Sequence, residues 1–268
     1  MKLENFFRKH PVFTGEELTA FLASEGPRNS RTQEALLVYH VKTGRLLRVR
    51  RGLYSVVPPG ASAETYPVDP FLLASRMTKN AVLAYHTALE VHGKAYSVYE
   101  HFTYLAASPS RPVTFRSLQF KGVGFPKALS LKDRETFDVV KTDRTGLEVR
   151  VTGLERTFVD VLSRPDLSGS WEEIWRSLES VEFFDLDKVA LYVDLLGNAT
   201  TAAKVGFFLE QHRESLMVDE AHLKTFRDRR PRRPHYLERS RRKAGRFVAA
   251  WNLVVPEEVN GRSWEELR

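Results

Sequence analysis

The segment 13–57 constrains the fold more than any other part of the sequence, because it combines two helix starts with a basic hairpin. Thr14 and Glu17 match the T-x-x-E capping box that begins many helices, and apolar residues follow at helical spacing. Residues 30–33 match the related S-x-x-Q box, and Gly44 suits the end of that second helix. The segment therefore predicts two consecutive helices and then two strands joined by a tight turn.

The second of these helices has one apolar face and one face with little reason to be buried. At the helical period, the inward residues are Leu36, Leu37, His40 and Val41. The outward residues are Arg31, Ala35, Val38, Tyr39 and Lys42. Small, polar and basic residues on one face suit a helix that enters the major groove of DNA. An ordinary surface helix has the same pattern, so the helix alone does not decide between the two.

The hairpin that follows favours the nucleic-acid interpretation. Residues 46–49 and 53–57 are expected to be strands, and Gly52 suits a positive φ in the turn. The arginines near the tip are Arg48, Arg50 and Arg51. So many cations in so short a stretch repel one another unless they meet an anionic partner such as a DNA backbone. Helix, capped helix and basic hairpin in this order predict a winged helix-turn-helix.

The whole sequence predicts an α+β protein of two domains. The winged helix-turn-helix is expected over 1–58, and a larger domain over 59–268. Within the larger domain, 70–151 has the pattern of helices followed by a small, mostly antiparallel sheet, and 152–226 is helical. Residues 227–268 are expected to form a basic arm and a closing tail.

Several local signals locate elements within the larger domain. Two helices are expected in 70–93 and four strands in 98–151, the last two forming a hairpin that turns at Gly146. Thr152 and Glu155 match a third capping box, and Asp185 and Asp187 lie where the N-cap of a later helix is expected.

Charge is distributed unevenly along the chain. The net charge is +7 and the sequence pI about 9.6. Residues 151–226 contain seven basic and fourteen acidic side chains, whereas 227–246 contain ten basic and two acidic ones, with Tyr236 among them. The second basic segment is either a solvated loop, a second phosphate contact or a dock for an acidic partner. Its candidate contacts are Arg229, Arg230, Arg232, Arg233, Arg241, Arg242 and Lys243.

The sequence lacks the usual signatures of catalysis and of cofactor binding. It has no cysteine, no Walker A motif, no H-E-x-x-H motif and no nucleophile elbow. Residues 121–124 contain only G-x-G, and His86 and His92 are six apart, which is not a ligand spacing on one helix. A nuclease-like pairing of Asp138 with Glu148 is a weak alternative. We therefore expect no catalytic residues, no metal and no cofactor.

Targeting signals are also lacking. The N-terminal residues have no long apolar core, and no apolar run approaches the roughly 20 residues of a membrane span. Together with the absence of cysteine, this favours a cytoplasmic protein without a membrane partner.

The chain resembles the AbiEi family, the antitoxins of type IV toxin–antitoxin (abortive infection) systems. The resemblance lies in the N-terminal winged helix ending in RRGLYSVVP, in AVLAYHTALEVHG, and in VTGLERTFVDVLSRPDLSGSWEEIWRSLESV. It continues in RPRRPHYLERSRRKAGRFVAAWNLVVPEE, so that it covers nearly the whole chain. It is a likeness of overall pattern, because none of these segments is a chemical signature.

This resemblance implies a cytoplasmic bacterial repressor that binds DNA repeats upstream of its own operon. It also implies that the C-terminal region counteracts a co-encoded toxin of the nucleotidyltransferase type, with or without a stable complex. Carried onto this sequence, the DNA-contacting candidates are Arg28, Arg31, Thr32, Lys42, Arg48, Arg50 and Arg51.

Two alternatives stay open from the sequence. The chain could be an atypical kinase or another enzyme that inactivates the toxin covalently, although nucleotide-binding motifs are missing. It could instead be a direct toxin-binding module without a DNA role, using the acidic helical block or the basic arm.

Overall fold

The computed structural model describes residues 2–24, 30–109, 111–238, 245–262 and 264. The chain divides into two compact units, each made of several segments. The first unit contains Met1–Leu83, Glu100–Val123 and Lys141–Arg150, and the second contains Ala84–Tyr99, Gly124–Val140 and Val151–Arg268. The boundary predicted from the sequence, between a DNA-binding domain over 1–58 and a second domain over 59–268, stays a prediction.

The first unit begins with helices and strands in the order expected for residues 13–57. Strand β1 pairs antiparallel with β3, and β3 pairs antiparallel with β2, so the sheet order is β1-β3-β2. Phe6, Phe7, Phe13 and Tyr54 form the aromatic centre of its core. The elements are α1 (Lys2–Lys9), β1 (Val12–Thr14), α2 (Gly15–Ser24), α3 (Ser30–Lys42), β2 (Leu46–Arg50) and β3 (Leu53–Val56).

A six-stranded sheet makes up most of the rest of the first unit, with the strand order β6-β7-β5-β4-β9-β8. Its elements are α4 (Pro70–Ser75), β4 (Val82–Leu83), β5 (His101–Ala106), β6 (Val113–Phe115), β7 (Leu118–Gly124), β8 (Val139–Arg144) and β9 (Leu147–Thr152). The predicted hairpin before β9 is confirmed, because Thr145 and Gly146 both have the positive φ of a type I′ turn.

Two strands of this sheet were not expected from the sequence. β4 separates the two helices predicted in 70–93, and it pairs antiparallel with β5. β7 contains the G-x-G of residues 121–124, and a Cβ at Gly122 would lie 3.0 Å from the Tyr104 ring. Gly122 therefore makes room for Tyr104.

The second unit is mostly helical and ends in a small three-stranded sheet. The helices are α5 (His86–Val91), α6 (Lys127–Ser130), α7 (Leu154–Ser163), α8 (Trp171–Glu179), α9 (Leu186–Leu196), α10 (Ala199–Gln211), α11 (Glu220–Asp228) and α12 (Glu257–Asn260), with a 3₁₀ turn at Pro165–Leu167. The strands are β10 (His235–Tyr236), β11 (Gly245–Val248) and β12 (Leu253–Pro256). β12 is central, parallel to β10 and antiparallel to β11.

Helix α10 is the centre of the second unit, since its residues from Thr200 to Leu209 are all buried. Trp251, which is fully buried, packs directly on Gly206, where a Cβ would lie 2.1 Å from the indole ring. The indole nitrogen donates to Glu210 Oε2 at 2.7 Å. The predicted closing tail therefore packs on the helical block through this tryptophan, as the sequence indicated.

A buried polar cluster joins α7 to α9 in the same unit. Arg156 is fully buried and donates to the carbonyl oxygens of Glu135 and Phe137 at 2.7 and 2.6 Å. Its Nε lies 3.4 Å from Asp160 Oδ2, and Tyr192 donates to Asp160 Oδ1 at 2.6 Å. Burial raises the pKa of Asp160, with the charge of Arg156 and the tyrosine hydrogen bond opposing it.

Of the helix starts predicted from the sequence, two are confirmed here and a third is wrong. The Thr14–Glu17 box is confirmed, because the Thr14 amide donates to Glu17 Oε2 and the Glu17 amide donates to Thr14 Oγ1. Asp185 caps α9 by accepting from the Lys188 amide. The box at 152–155 is wrong: Gly153 is the N-cap of α7, and the Thr152 hydroxyl bonds the Thr157 hydroxyl instead.

The predicted α+β class is confirmed by this architecture of helices with mainly antiparallel sheets. Among the described residues, no helix is both long and apolar enough to cross a membrane.

Replacing Gly206 with alanine is expected to destabilise the protein by about 1–3 kcal/mol, because the new methyl group overlaps the buried indole of Trp251. Urea unfolding measures the change. Gly124→Ala is the matched control, since a Cβ there meets no atom within 4 Å. Equal stability of the two variants would contradict the packing described for α10.

Candidate nucleic-acid interface

Helix α3 presents the outward face that the sequence predicted. Val38 is 53% exposed and Tyr39 is 61% exposed, and Ala35 and Lys42 are exposed beside them. The opposite side contains buried Leu37. Val38 and Tyr39 are therefore exposed to solvent on a helix whose opposite face already packs into the core. This exposed face, named the α3 face below, is the part of the first unit with the most evident capacity to contact a partner.

Contacts with α1 and α2 fix the orientation of α3. His40 packs edge-on against the Phe7 ring at 5.2 Å, and burial lowers the pKa of His40, which favours the neutral ring. The side-chain amide of Gln33 donates to the Gly15 carbonyl and to the Thr19 hydroxyl, the latter at 2.7 Å. Gln33 was predicted to act in a capping box of its own helix. Its amide nitrogen joins α3 to α2.

The hairpin β2–β3 turns through only Arg51 and Gly52, the second with φ +79°. The amide of Gly15 donates to the Gly52 carbonyl at 2.9 Å, so the first turn of α2 holds the tip of the hairpin. Arg48 and Arg51 are exposed. Both arginines are therefore accessible to the anionic backbone of a nucleic acid.

Arg50 has a different environment from its two neighbours. It is partly buried, and its guanidinium donates to the Met77 carbonyl. The third predicted arginine of the hairpin therefore helps to attach the hairpin to the segment that follows α4. This contact could not be predicted from sequence, because 27 residues separate the two partners.

Some of the predicted DNA contacts cannot be placed. Arg28 lies outside the described residues, and Arg31 and Thr32 lie in α3 with side chains that are not described. In the second basic segment, Arg241, Arg242 and Lys243 also lie outside the described residues.

A groove of about 940 Å³ in the first unit lies beside the hairpin. Arg51, Arg76, Lys79 and Arg150 contribute cations to it, although it also contains acidic residues. Arg76 pairs with Glu17 at 3.2 Å. Sequence reasoning did not include Arg76, Lys79 or Arg150, and no local signal marks them, because only the folded chain brings them near the hairpin.

The described part of the second basic segment contains cations of two kinds. Arg229 forms an ion pair with Asp194 and donates to the Thr225 carbonyl, so it fastens α11 to α9. Arg230 is partly buried and donates to the Arg227 carbonyl. Arg232 and Arg233 are exposed. Arg232, Arg233 and the likewise exposed Arg246 are therefore placed to meet an external anion without breaking a hydrogen bond or ion pair described for this segment.

The second unit contains a cavity of about 1100 Å³ lined by α8 and α10. Arg164 pairs with Asp166 at 2.8 Å, and the Lys204 amine donates to the Leu162 carbonyl at 3.0 Å. Trp171 donates to Glu238 at 3.3 Å. The lining contains basic Arg164 and Lys204 and acidic Asp166, Glu238 and Glu258, so charges of both signs face the cavity.

Two histidines of the second unit, His86 and His92, have structural environments. The buried His86 lies 3.0 Å from Glu173 Oε1 and stacks on Tyr99 at 4.0 Å. His92 bonds the Thr152 carbonyl at 2.7 Å. Burial by itself raises the pKa of Glu173, but hydrogen bonds from His86 and Ser97 outweigh it and bring that pKa to about 2. Within the described ranges, no group of three or more His, Asp and Glu side chains could hold a metal.

Asp138, the residue of the nuclease-like alternative, is an anchoring residue. It is buried, its Oδ1 lies 2.9 Å from the Lys188 amine, and its Oδ2 accepts from the Arg156 amide at 3.1 Å. Both oxygens also lie within 2.5 Å of the position a Cβ would take at Gly153. The carboxylate thus caps the start of α7, which explains the glycine there.

Comparisons with known proteins give a fold and no family. No family model matches the sequence, and no curated protein matches it. Among solved structures, the chain is similar to the crystal structure of the RV2827C protein from Mycobacterium tuberculosis, with a TM-score of 0.66 and 16% identity. The match covers 100% of this chain and 94% of that one, so the two proteins share a fold along their lengths.

The low pKa of Glu173 predicts a loss of stability in acid. The folded pKa lies below the value of the unfolded chain, so the stabilisation is present above about pH 4.5 and is lost as the pH falls towards 2. We expect Glu173→Gln to be less stable at pH 7 by roughly 2 kcal/mol and to depend less on pH between 4.5 and 2. Urea midpoints at several pH values measure this.

Glu182→Gln removes an exposed carboxylate of the same unit and serves as the control. An acid profile of Glu173→Gln that is identical to the wild-type profile would show that the hydrogen bonds from His86 and Ser97 do not lower the pKa of Glu173.

Proposed function

We propose that this chain is a DNA-binding transcriptional autorepressor and the antitoxin of a type IV toxin–antitoxin system of the AbiEi kind. The observation that carries the DNA-binding part is the combination of the exposed α3 face with the exposed Arg48 and Arg51 of the next hairpin. The order β1-α2-α3-β2-β3 with sheet order β1-β3-β2 supports the proposal of a winged helix-turn-helix.

In this proposal, α3 enters the major groove and the hairpin contacts the backbone. Ala35 and Val38 allow close approach to base edges and thymine methyl groups, while Tyr39 and Lys42 reach polar or phosphate groups. The firm attachment of α3 through Gln33 supports such a role, because base contacts require a fixed helix.

The antitoxin part rests on the sequence resemblance to AbiEi proteins. It assigns residues 59–268 to the neutralisation of a co-encoded nucleotidyltransferase-like toxin in the bacterial cytoplasm. A neighbouring reading frame that encodes such a toxin, and survival of cells that co-express both proteins, are the expected findings. Toxicity that persists during co-expression would overturn this part alone.

The non-enzymatic form of the proposal has a separate test. The mass of the toxin is expected to stay unchanged after incubation with this protein and ATP. A phosphoryl group on the toxin would replace the proposal with the kinase alternative, and co-purification of the two proteins without DNA binding would favour the direct binding module.

The double variant Arg48→Ala with Arg51→Ala is expected to bind the DNA upstream of its own gene more weakly. Each lost phosphate contact should reduce the slope of log affinity against log salt by about one, so the variant should lose about two. Fluorescence anisotropy with labelled duplex DNA at several salt concentrations measures both quantities.

A variant with Arg213→Ala and Lys224→Ala removes the same charge from exposed positions on the second unit and is the matched control. If it lowers the salt slope as much as the hairpin variant does, binding depends on net charge and the hairpin assignment fails.

A further inference from the structure

A small cavity of about 340 Å³ in the second unit is lined by Tyr85. Tyr85 is 3% exposed and lies directly before α5, where its carbonyl oxygen accepts from the amides of Ala88 and Leu89. The cavity, named the Tyr85 cavity below, contains both charged and uncharged polar groups. The other polar residues that line it are Lys127, Asp160, Ser163, Arg164 and Asn198.

The backbone of Tyr85 is held in an unfavourable conformation. Its φ is +59° and its ψ is −135°, a region that glycine can occupy and that bulky residues avoid. Residues with such strain are concentrated at active sites and ligand sites, where the surrounding structure holds a side chain in one place. The conformation therefore indicates that the position of this tyrosine side chain has a use beyond packing.

The hydroxyl group of Tyr85 has no hydrogen-bond partner among the described residues, although the side chain is almost entirely buried. Burial and the charge of Asp160 raise the pKa of Tyr85, so the hydroxyl stays protonated and can donate. A buried hydroxyl without an acceptor is unfavourable. Because Tyr85 lines the cavity, an acceptor that enters the cavity can satisfy this donor.

Two further groups of the lining can donate hydrogen bonds. The side-chain oxygen of Asn198 accepts from two amides at the start of α10, which leaves its NH₂ group to donate elsewhere. The Ser163 hydroxyl oxygen accepts from the Thr201 hydroxyl at 3.3 Å, so its own proton is available to another acceptor. The cavity thus offers several donors to one ligand.

The charges at the cavity favour an anion. Its two cations, Lys127 and Arg164, are exposed. Arg164 donates to Asp166 through Nε and Nη2, which leaves Nη1 for another acceptor. Asp160 lies 3.4 Å from Nε of the buried Arg156, so the negative charge of this carboxylate is already opposed. An anion with several acceptor oxygens therefore matches the lining.

We propose that the Tyr85 cavity binds the phosphate group of a small phosphorylated molecule, with the Tyr85 hydroxyl and Arg164 Nη1 donating to the phosphate oxygens. A phosphate group has three strong acceptor oxygens and about two negative charges at neutral pH. It therefore uses these donors and cations more fully than a carboxylate does. The volume is that of a small-molecule site.

The larger cavity of about 1100 Å³ gives room for the rest of the ligand. The residues that line both cavities are Ser163, Arg164 and Asn198. The larger cavity also contains carboxylates, which accept hydrogen bonds from hydroxyl groups, and these are Asp166, Glu238 and Glu258. The ligand class is therefore a phosphate ester that carries hydroxyl groups, such as a sugar phosphate.

This site is made of residues of the second unit. It adds a small-molecule ligand to a protein whose first unit is proposed to bind DNA, and it does not depend on the outcome of the DNA-binding experiments.

Isothermal titration calorimetry of the full chain with ribose 5-phosphate, inorganic phosphate and ribose tests the proposal. Ribose 5-phosphate is expected to bind saturably, inorganic phosphate more weakly, and ribose not at all. Tyr85→Phe is expected to bind ribose 5-phosphate at least about tenfold more weakly, because a donor to a charged acceptor is lost. Its urea midpoint is expected to equal that of the wild type, since no described residue bonds the hydroxyl.

Two further variants separate the cavity from the rest of the unit. Arg164→Gln is expected to weaken the binding of ribose 5-phosphate as well. Tyr96→Phe removes the hydroxyl of a tyrosine that is 56% exposed and does not line the cavity, and it is expected to bind as the wild type does.

The proposal is overturned if neither phosphate compound binds saturably, or if Tyr85→Phe binds ribose 5-phosphate within about twofold of the wild type. A lower urea midpoint of Tyr85→Phe would show that the hydroxyl serves the fold and not a ligand. Equal affinity for ribose and ribose 5-phosphate would exclude recognition of the phosphate. Equal affinity for inorganic phosphate and ribose 5-phosphate would identify free phosphate as the ligand and exclude the ester.

Discussion

The second unit depends on the burial of one cation, Arg156. An ionised group removed from water costs several kcal/mol unless hydrogen bonds and an opposite charge surround it. Arg156 meets most of this requirement through Nη1, which donates to two backbone carbonyls, and Nε, which pairs with Asp160, the residue that Tyr192 binds; among the described residues Nη2 has no hydrogen-bond partner. These partners come from α7, α9 and the segment before β8, so the need to satisfy one guanidinium fixes how three separate parts of the chain meet.

The same principle explains the details around that cluster. Asp138 accepts from the start of α7 and pairs with Lys188 of α9, so it connects the same elements from the other side. Its carboxylate occupies the space that a side chain at residue 153 would take, which is why α7 begins with a glycine and not with a threonine cap. A carboxylate from another segment therefore satisfies an amide in the first turn of α7, in place of the predicted capping box.

Each unit leaves some large side chains exposed on elements whose other face forms its core. The first unit uses Leu37 and its neighbours for packing and leaves Val38 and Tyr39 outside. The second unit buries Leu253 and Val255 and leaves Tyr236 and Phe247 outside. Exposed aromatic and aliphatic side chains cost solvation free energy, so Val38 and Tyr39, on the helix next to the hairpin with exposed Arg48 and Arg51, are consistent with a partner that carries both charge and apolar groups.

The sequence by itself determined the helix starts at Thr14 and Asp185, the outward face of α3, the turn at Gly146 and the α+β class, because each depends on hydrogen bonds or periodicity within a few residues. Only the tertiary structure decided that β4 and β7 are strands. It also decided that Arg50 and Arg229 bind partners within the protein, whereas Arg51 and Arg232 are exposed. Strand pairing places Tyr236 and Phe247 on one face of their sheet. These outcomes depend on strand pairing and on carbonyl or carboxylate partners that lie many residues away in the sequence. The local sequence pattern gives no information about such distant partners.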